Sequence, residues 1–315
     1  MNVKAGTYTG NGADNRNISG VGFQPDFVLV KGGSSSAFFS SASSPADKSK
    51  GAVSASTMNA NQIQAFQSDG FQLGSDSAVN TTSTVYYYIA IKCDSADSKI
   101  GSYTGSGSDN NNVTGVGFTP TFVMVWSDSN NQPWWRTSLM GSGGDSSCRF
   151  DSDLRTDNIQ ALQSDGFQLG TSSEVNGSGR TCYYLAVKDA SAVFGVFTYT
   201  GNGSDNRSIS GIGFQPDFVL VQNTDTNGTP SVIRFTDETG DNSFEVAAVG
   251  EATNKIQAFE TDGFQVGNNN SANQNTIKYH GFALKNAAPA AATTTQRRTL
   301  SALGTRSGSR QVRAA

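Results

Sequence analysis

Phe27-Val28-Leu29-Val30, Phe122-Val123-Met124-Val125 and Phe218-Val219-Leu220-Val221 are short, uninterrupted apolar runs, each preceded by a proline two residues earlier. A brief apolar run bounded by turn formers predicts a strand covered on both faces, and a proline just ahead of it costs the ladder no hydrogen bond. Downstream of the first run, Ile63–Phe66 and Phe71–Leu73 flank Asp69-Gly70, and the same pattern surrounds Asp165-Gly166 and Asp262-Gly263. Asp-Gly supplies the positive φ angles of a two-residue hairpin. Aromatic and branched runs such as Tyr86–Ile91 and Cys182–Val187 predict closing strands. No window keeps a 3.6-residue apolar period over about ten residues. The pattern therefore predicts roughly seven or eight short strands per segment, packed as a β-sandwich.

These elements recur. Tyr8, Tyr103 and Tyr199 open equivalent segments at intervals of 95 and 96 residues. Each segment passes through an Asp-Asn turn (Asp14-Asn15, Asp109-Asn110, Asp205-Asn206) into Gly-Val/Ile-Gly-Phe-x-Pro, then Ser/Thr-Asp-Gly-Phe-Gln-Leu/Val-Gly, and closes on Lys92, Lys188 or Lys285. The period exceeds that of solenoid repeats and is domain-sized. The expected organisation is all-β: three tandem homologous β-sandwich domains at 1–92, 93–188 and 189–285, followed by an Ala/Thr linker and a flexible Arg-rich tail at 286–315.

Composition sharpens this picture. Only 15% of the residues are charged and 35 are glycine, which suits turn-rich β structure rather than long amphipathic helices. No apolar stretch has the length of a membrane span, and Met1–Gly10 lacks the pattern of a signal peptide, so a soluble chain without a leader is expected. Residues 286–315 hold five arginines and no acid, leaving 17 basic against 26 acidic residues in the first 285, a net of −9. An acidic body carries a basic arm.

Candidate chemistry is sparse. Cys93, Cys148 and Cys182 form an odd set without metal-ligand spacing, and a bridge between Cys148 and Cys182 is not expected in a reducing cytoplasm. The single histidine, His280, aligns with Tyr87 and Tyr183 and reads as a strand residue. Asp69, Asp165 and Asp262 read as turn residues, and Asp14, Asp109 and Asp205 as Asx turns in preference to calcium ligands. The five glutamates, Glu174, Glu238, Glu245, Glu251 and Glu260, are absent from the first repeat and not equivalent in the other two, which disfavours a paired-carboxylate glycosidase. Acids of the variable segments, Asp151, Asp153 and Asp157 or Asp237, Glu238 and Asp241, read as solvated or structural. No catalytic residue, metal or cofactor is expected.

Two features invite a binding role. All three tryptophans lie in the second repeat, and Trp134-Trp135-Arg136 suits a sugar ring or a protein partner; the competing reading puts the two rings on opposite faces of a strand, one of them in the core. The tail arginines Arg297, Arg298, Arg306, Arg310 and Arg313 suit docking to an acidic protein surface, with a merely solvated arm as the alternative. Nucleic acid is disfavoured because no aromatic residue interleaves them.

The motifs Gly6-Thr-Tyr-Thr-Gly-Asn-Gly12, Gly20-Val-Gly-Phe-Gln-Pro-Asp-Phe-Val28, Ser68-Asp-Gly-Phe-Gln-Leu-Gly74 and the closing Tyr-Tyr-x-x-Ala-x-Lys resemble a repeat domain of tailed-bacteriophage virion proteins. The resemblance spans residues 3 to 285 in triplicate and implies a non-enzymatic virion component with a β-sandwich fold. The expected role is a head decoration or short fibre, located on the virion after assembly in the host cytoplasm. The first repeat begins within a few residues of Met1, which points to anchoring on other capsid or tail proteins through residues 286–315. A lectin-like module for host surface glycans, using Trp134, Trp135 and Arg136, is the alternative, and a polysaccharide depolymerase is a weaker third. The sequence leaves oligomeric state open and gives no sign of a membrane partner.

Overall fold

The structure, a computed structural model, describes residues 1–141, 144–189 and 192–287. It is all-β, built from antiparallel sheets with three one-turn helices among the described residues. In the first repeat a five-stranded sheet runs in the order Asn2–Thr9, Val85–Lys92, Phe27–Gly32, Phe38–Ser41, Lys50–Gly51. A three-stranded sheet, Arg16–Ser19, Gly70–Leu73 and Ile63–Gln67, lies over it. The other repeats copy the plan, with large sheets of four and five strands.

The apolar runs explain how these sheets pack. Strand side chains alternate between faces. Val28 and Val30 meet Ile18, Phe71 and Leu73 of the small sheet in a core local to the first repeat. Phe27 and Leu29, on the opposite face, join Phe122, Met124, Phe218 and Leu220 in one core shared by all three repeats. Phe218–Asn223 follows the same division, with Val219 and Val221 in the local core. The shared core closes around a small apolar void of about 30 Å³ lined by equivalent residues, including Phe27, Phe122 and Phe218. The central strands are thus buried on both faces, as the uninterrupted runs require, but one of those faces is covered by the other repeats.

The repeats meet head to tail. The second docks on the first: Trp126 lies edge-on to Phe39 at 5.3 Å, the Lys50 ammonium donates to Ser129 O at 2.8 Å, and Met58 N donates to Asp128 Oδ1 at 2.7 Å. The third docks on the second through Ser231 N to Phe150 O (2.6 Å) and Leu154 N to Thr224 O (3.0 Å). The first docks on the third through Ala37 N to Val246 O (2.8 Å) and the stacking of Tyr87 on Phe235 at 5.7 Å. Pro133, at the position of Ala37 and Ser231, has no N–H to give, so the corresponding bond is missing where the second repeat meets the first. A head-to-tail contact whose rotation closes makes a ring. The ring is completed by Asn286 and Ala287, which bind the first strand: Val3 and Ala287 exchange backbone hydrogen bonds of 2.9 Å, and Ala5 N donates to Asn286 Oδ1 at 2.6 Å. Asn286 and Ala287, assigned above to the linker, therefore belong to the body's hydrogen-bonding frame.

Candidate functional site

Trp134 and Trp135 lie on the strand Trp134–Thr137 and point to opposite faces. Trp134 enters the local core of the second repeat and Trp135 the shared core, at 3% and 0% exposure. Both rings are core residues and offer no contact surface, which corrects the surface reading. Alternation across a strand is responsible, with apolar layers on both sides. Arg136, 8% exposed, donates to the backbone carbonyls of Gly144 (2.9 Å), Ile159 (3.3 Å) and Ser146. Arg234, its counterpart in the third repeat, does the same with Gly240, Ile256 and Asn242, whereas the first repeat has Ser40 there. Burial lowers the pKa of both guanidinium groups.

Arg136 nevertheless borders an outer cleft of about 570 Å³ between its strand and the small sheet, with Asp145, Gln160 and Gln168 on the wall and Pro120 and Leu162 as apolar patches. The first repeat has a smaller cleft of about 240 Å³ at the same place, where Ser40, Gln64 and Phe66 replace Arg136, Gln160 and Leu162. Gln160 Nε2 donates to Asp109 Oδ1 at 2.9 Å, while Arg136 Nε, Asp145 Oδ1 and Gln160 Oε1 are buried without a hydrogen-bond partner. These atoms are sealed from solvent, and Gln64 Oε1 in the first repeat and Asp241 Oδ1 and Gln257 Oε1 in the third are in the same state, so they belong to the packing behind the cleft and not to its surface.

The triplicated acids have structural work. Asp69 accepts from Gly20 N (3.0 Å) and Gly22 N (2.6 Å), Asp165 from Gly115 N and Gly117 N, and Asp262 from Gly211 N and Gly213 N. These bonds, from Gly22 and Gly20 on Asp69 and from Gly115 and Gly117 on Asp165, hold both carboxyls below the usual carboxylate range. The turn differs from the expected one. Gln67 pairs with Gly70, so the loop residues are Ser68 and Asp69, and the positive φ of 144° falls on Gly70, within the strand. Glycine is required because a Cβ there would lie 2.0 Å from Ile18 O. Asp14, Asp109 and Asp205 each hold the next asparagine at φ 56° and accept from Gln64, Gln160 and Gln257.

Asn80, Asn176 and Asn273 escaped the sequence reading. Each is fully buried at the end of a one-turn helix, donates to Gly74 O, Gly170 O or Gly267 O, and accepts from the backbone of the first loop. Their recurrence in all three copies was the available signal. Among the described residues no group of three His, Cys, Asp or Glu side chains is placed to hold a metal ion. Cys148 lies in the shared core and Cys182 in a local one, both as free thiols.

His280 sits in the strand Lys278–Leu284 opposite Gln222, the register that Tyr87 has with Lys31 and Tyr183 with Trp126. Its Nε2 contacts Leu139 O of the second repeat at 3.1 Å and its Nδ1 contacts Thr224 Oγ1 at 2.9 Å. Arg297, Arg298, Arg306, Arg310 and Arg313 lie outside the described residues. Residues 2–94 and 189–309 match a family described as a domain of unknown function, DUF7483, so the match extends past Lys285 to take in Arg297, Arg298 and Arg306. No curated protein and no solved structure matches the chain.

Proposed function

We propose that this chain, which belongs to the DUF7483 family, is a non-enzymatic bacteriophage structural protein displayed on the particle surface as a head decoration or short fibre. Three homologous β-sandwich domains, at 1–92, 93–188 and 189–285, form the displayed body, and the arginine-bearing segment beyond them binds capsid or tail proteins. The observation that carries this reading is the division of charge along the chain. The first 285 residues have a net charge of −9, Ala287 is fixed beside Val3, and residues 288–315 contain five arginines and no acid. An acidic body followed in sequence by a basic segment suits display and anchoring.

The frame formed by Asn286 and Ala287 sets where a truncation must begin. Removing residues 288–315 is expected to leave a folded body that no longer co-purifies with particles in an assembly assay; undiminished incorporation would overturn the anchor. A second reading, adhesion to host glycans, is favoured by the outer cleft of the second repeat, which is larger than its counterpart in the first and carries the amides of Asn110, Gln160 and Gln168 in its lining. Related clefts spaced around one body would add through avidity. On a glycan array, Gln168→Ala, on the half-buried wall of the cleft, is expected to abolish such binding with little change in melting temperature, because its side-chain amide bonds only the exposed Asn112.

A further inference from the structure

The ring has three seams made from the same positions with different chemistry. Ser44, Met140 and Glu238 are equivalent, each donating its N–H to the carbonyl three residues earlier, Ser41, Thr137 or Phe235, at 3.0, 3.2 and 3.2 Å. Ser44 Oγ accepts from Trp126 Nε1 at 3.3 Å, and Met140 is fully buried in the shared core. Glu238 is 5% exposed; its Oε2 accepts from Phe235 N at 3.0 Å and its Oε1 has no partner. A carboxyl group in that state is costly to bury, and more so when ionised.

The seam that holds Glu238 differs in another respect. The first and second repeats are joined by a short covalent linker, as are the second and third. The third and first are joined only by contacts: the pairing of Val3 with Ala287, Ala37 N to Val246 O, Lys31 Nζ to Val249 O at 2.8 Å, and Tyr87 against Phe235 and Phe244. We propose that this third–first seam is the gate of the ring, and that Glu238, buried there with one carboxyl oxygen unpartnered, is its latch. Opening separates Tyr87 and Lys31 from Phe235 and Phe244 and uncovers one side of the shared core.

The surrounding charges fit this role. Arg234 and Glu251 act on Glu238 from its own repeat and Lys31 from the first, while Asp237, Glu245 and Lys255 act on Lys31 or Tyr87 in the same cluster. Arg234 spends its donors on carbonyls, including Glu238 O and Gly240 O, rather than on the carboxyl group. Burial pushes the Glu238 carboxyl up to about 8 and the Lys31 ammonium down to about 8. The sign follows. The closed state holds the Glu238 proton between the ordinary carboxyl value of 4.5 and about 8, so raising the pH across that window favours opening.

Hydrogen exchange on the full chain between pH 5 and 8, corrected for intrinsic exchange, tests the gate. The opening constant read from the amides that cross the seam, Val3, Ala5 and Ala37, is expected to rise by up to about tenfold per pH unit, while the Met58 amide, which crosses the first–second seam, stays flat. Glu238→Gln removes that dependence, and Glu238→Met, the residue of the second repeat, serves the same purpose should the glutamine variant fold poorly. A flat profile in the natural chain, or the same slope in either variant, overturns the proposal.

Discussion

His280 is the only histidine of the chain, fully buried where the third repeat meets the second, and burial lowers its pKa to about 4. The closed ring holds the neutral ring while the unfolded chain takes up a proton near the ordinary value of 6.5. Stability from this site is therefore complete above about pH 6.5 and is lost as the pH falls toward 4, by up to roughly 3 kcal/mol. Denaturant midpoints measured across that window are expected to fall in the natural chain and to flatten in His280→Gln. Alignment of the repeats gave the histidine its strand position; its partners, Leu139 and Thr224, are distant in sequence and could not be read there. The same limit applies to Asp69, which was legible as a turn residue but not as the acceptor for Gly20 and Gly22 about fifty residues earlier.

At the scale of elements, the strand Trp134–Thr137 shows how far a pattern can be read. Four consecutive residues are buried, so alternation sends Trp134 to one core and Trp135 to another. Trp135→Ala is expected to cost about 3–5 kcal/mol and to lower the unfolding of all three repeats together, since its cavity opens in the core they share. Calorimetry that instead resolves a separate transition for the second repeat would contradict this. Tryptophan next to arginine signals a binding surface only when one face of the strand is wet, and local sequence does not say which face is wet. The cleft beside Arg136 was equally hidden, because Asp109, Asp145 and Gln160 come together from three separate segments.

Across the whole molecule, the shared core makes the repeats interdependent. A fragment of residues 1–92 presents Phe27, Leu29, Phe39, Ile89 and Ile91 to water, and is expected to aggregate or stay unfolded by circular dichroism. Opening the chain elsewhere is a different matter. With Ala287 paired to Val3, a circular permutant that joins residue 287 to residue 1 and begins in the exposed linker at Ala96 is expected to fold with a near-natural melting temperature. Failure of that permutant, beside a well-folded fragment, would argue for independent domains rather than a ring.

The amino-acid order by itself determined the threefold repetition, the β class, the doubly buried central strands and the split between acidic body and basic arm. All of these rest on local pattern and on counting. Tertiary structure alone decided what covers the second face of those strands, which repeat meets which, and that Asn286 and Ala287 close the circle. Sequence repeats are nearly blind to this because each copy has the same apolar pattern. The choice of neighbour is written in single positions, Lys31 donating to Val249 O, Trp126 to Ser44 and Gln222 to Ser152 O, whose meaning appears only once the copies are brought into contact.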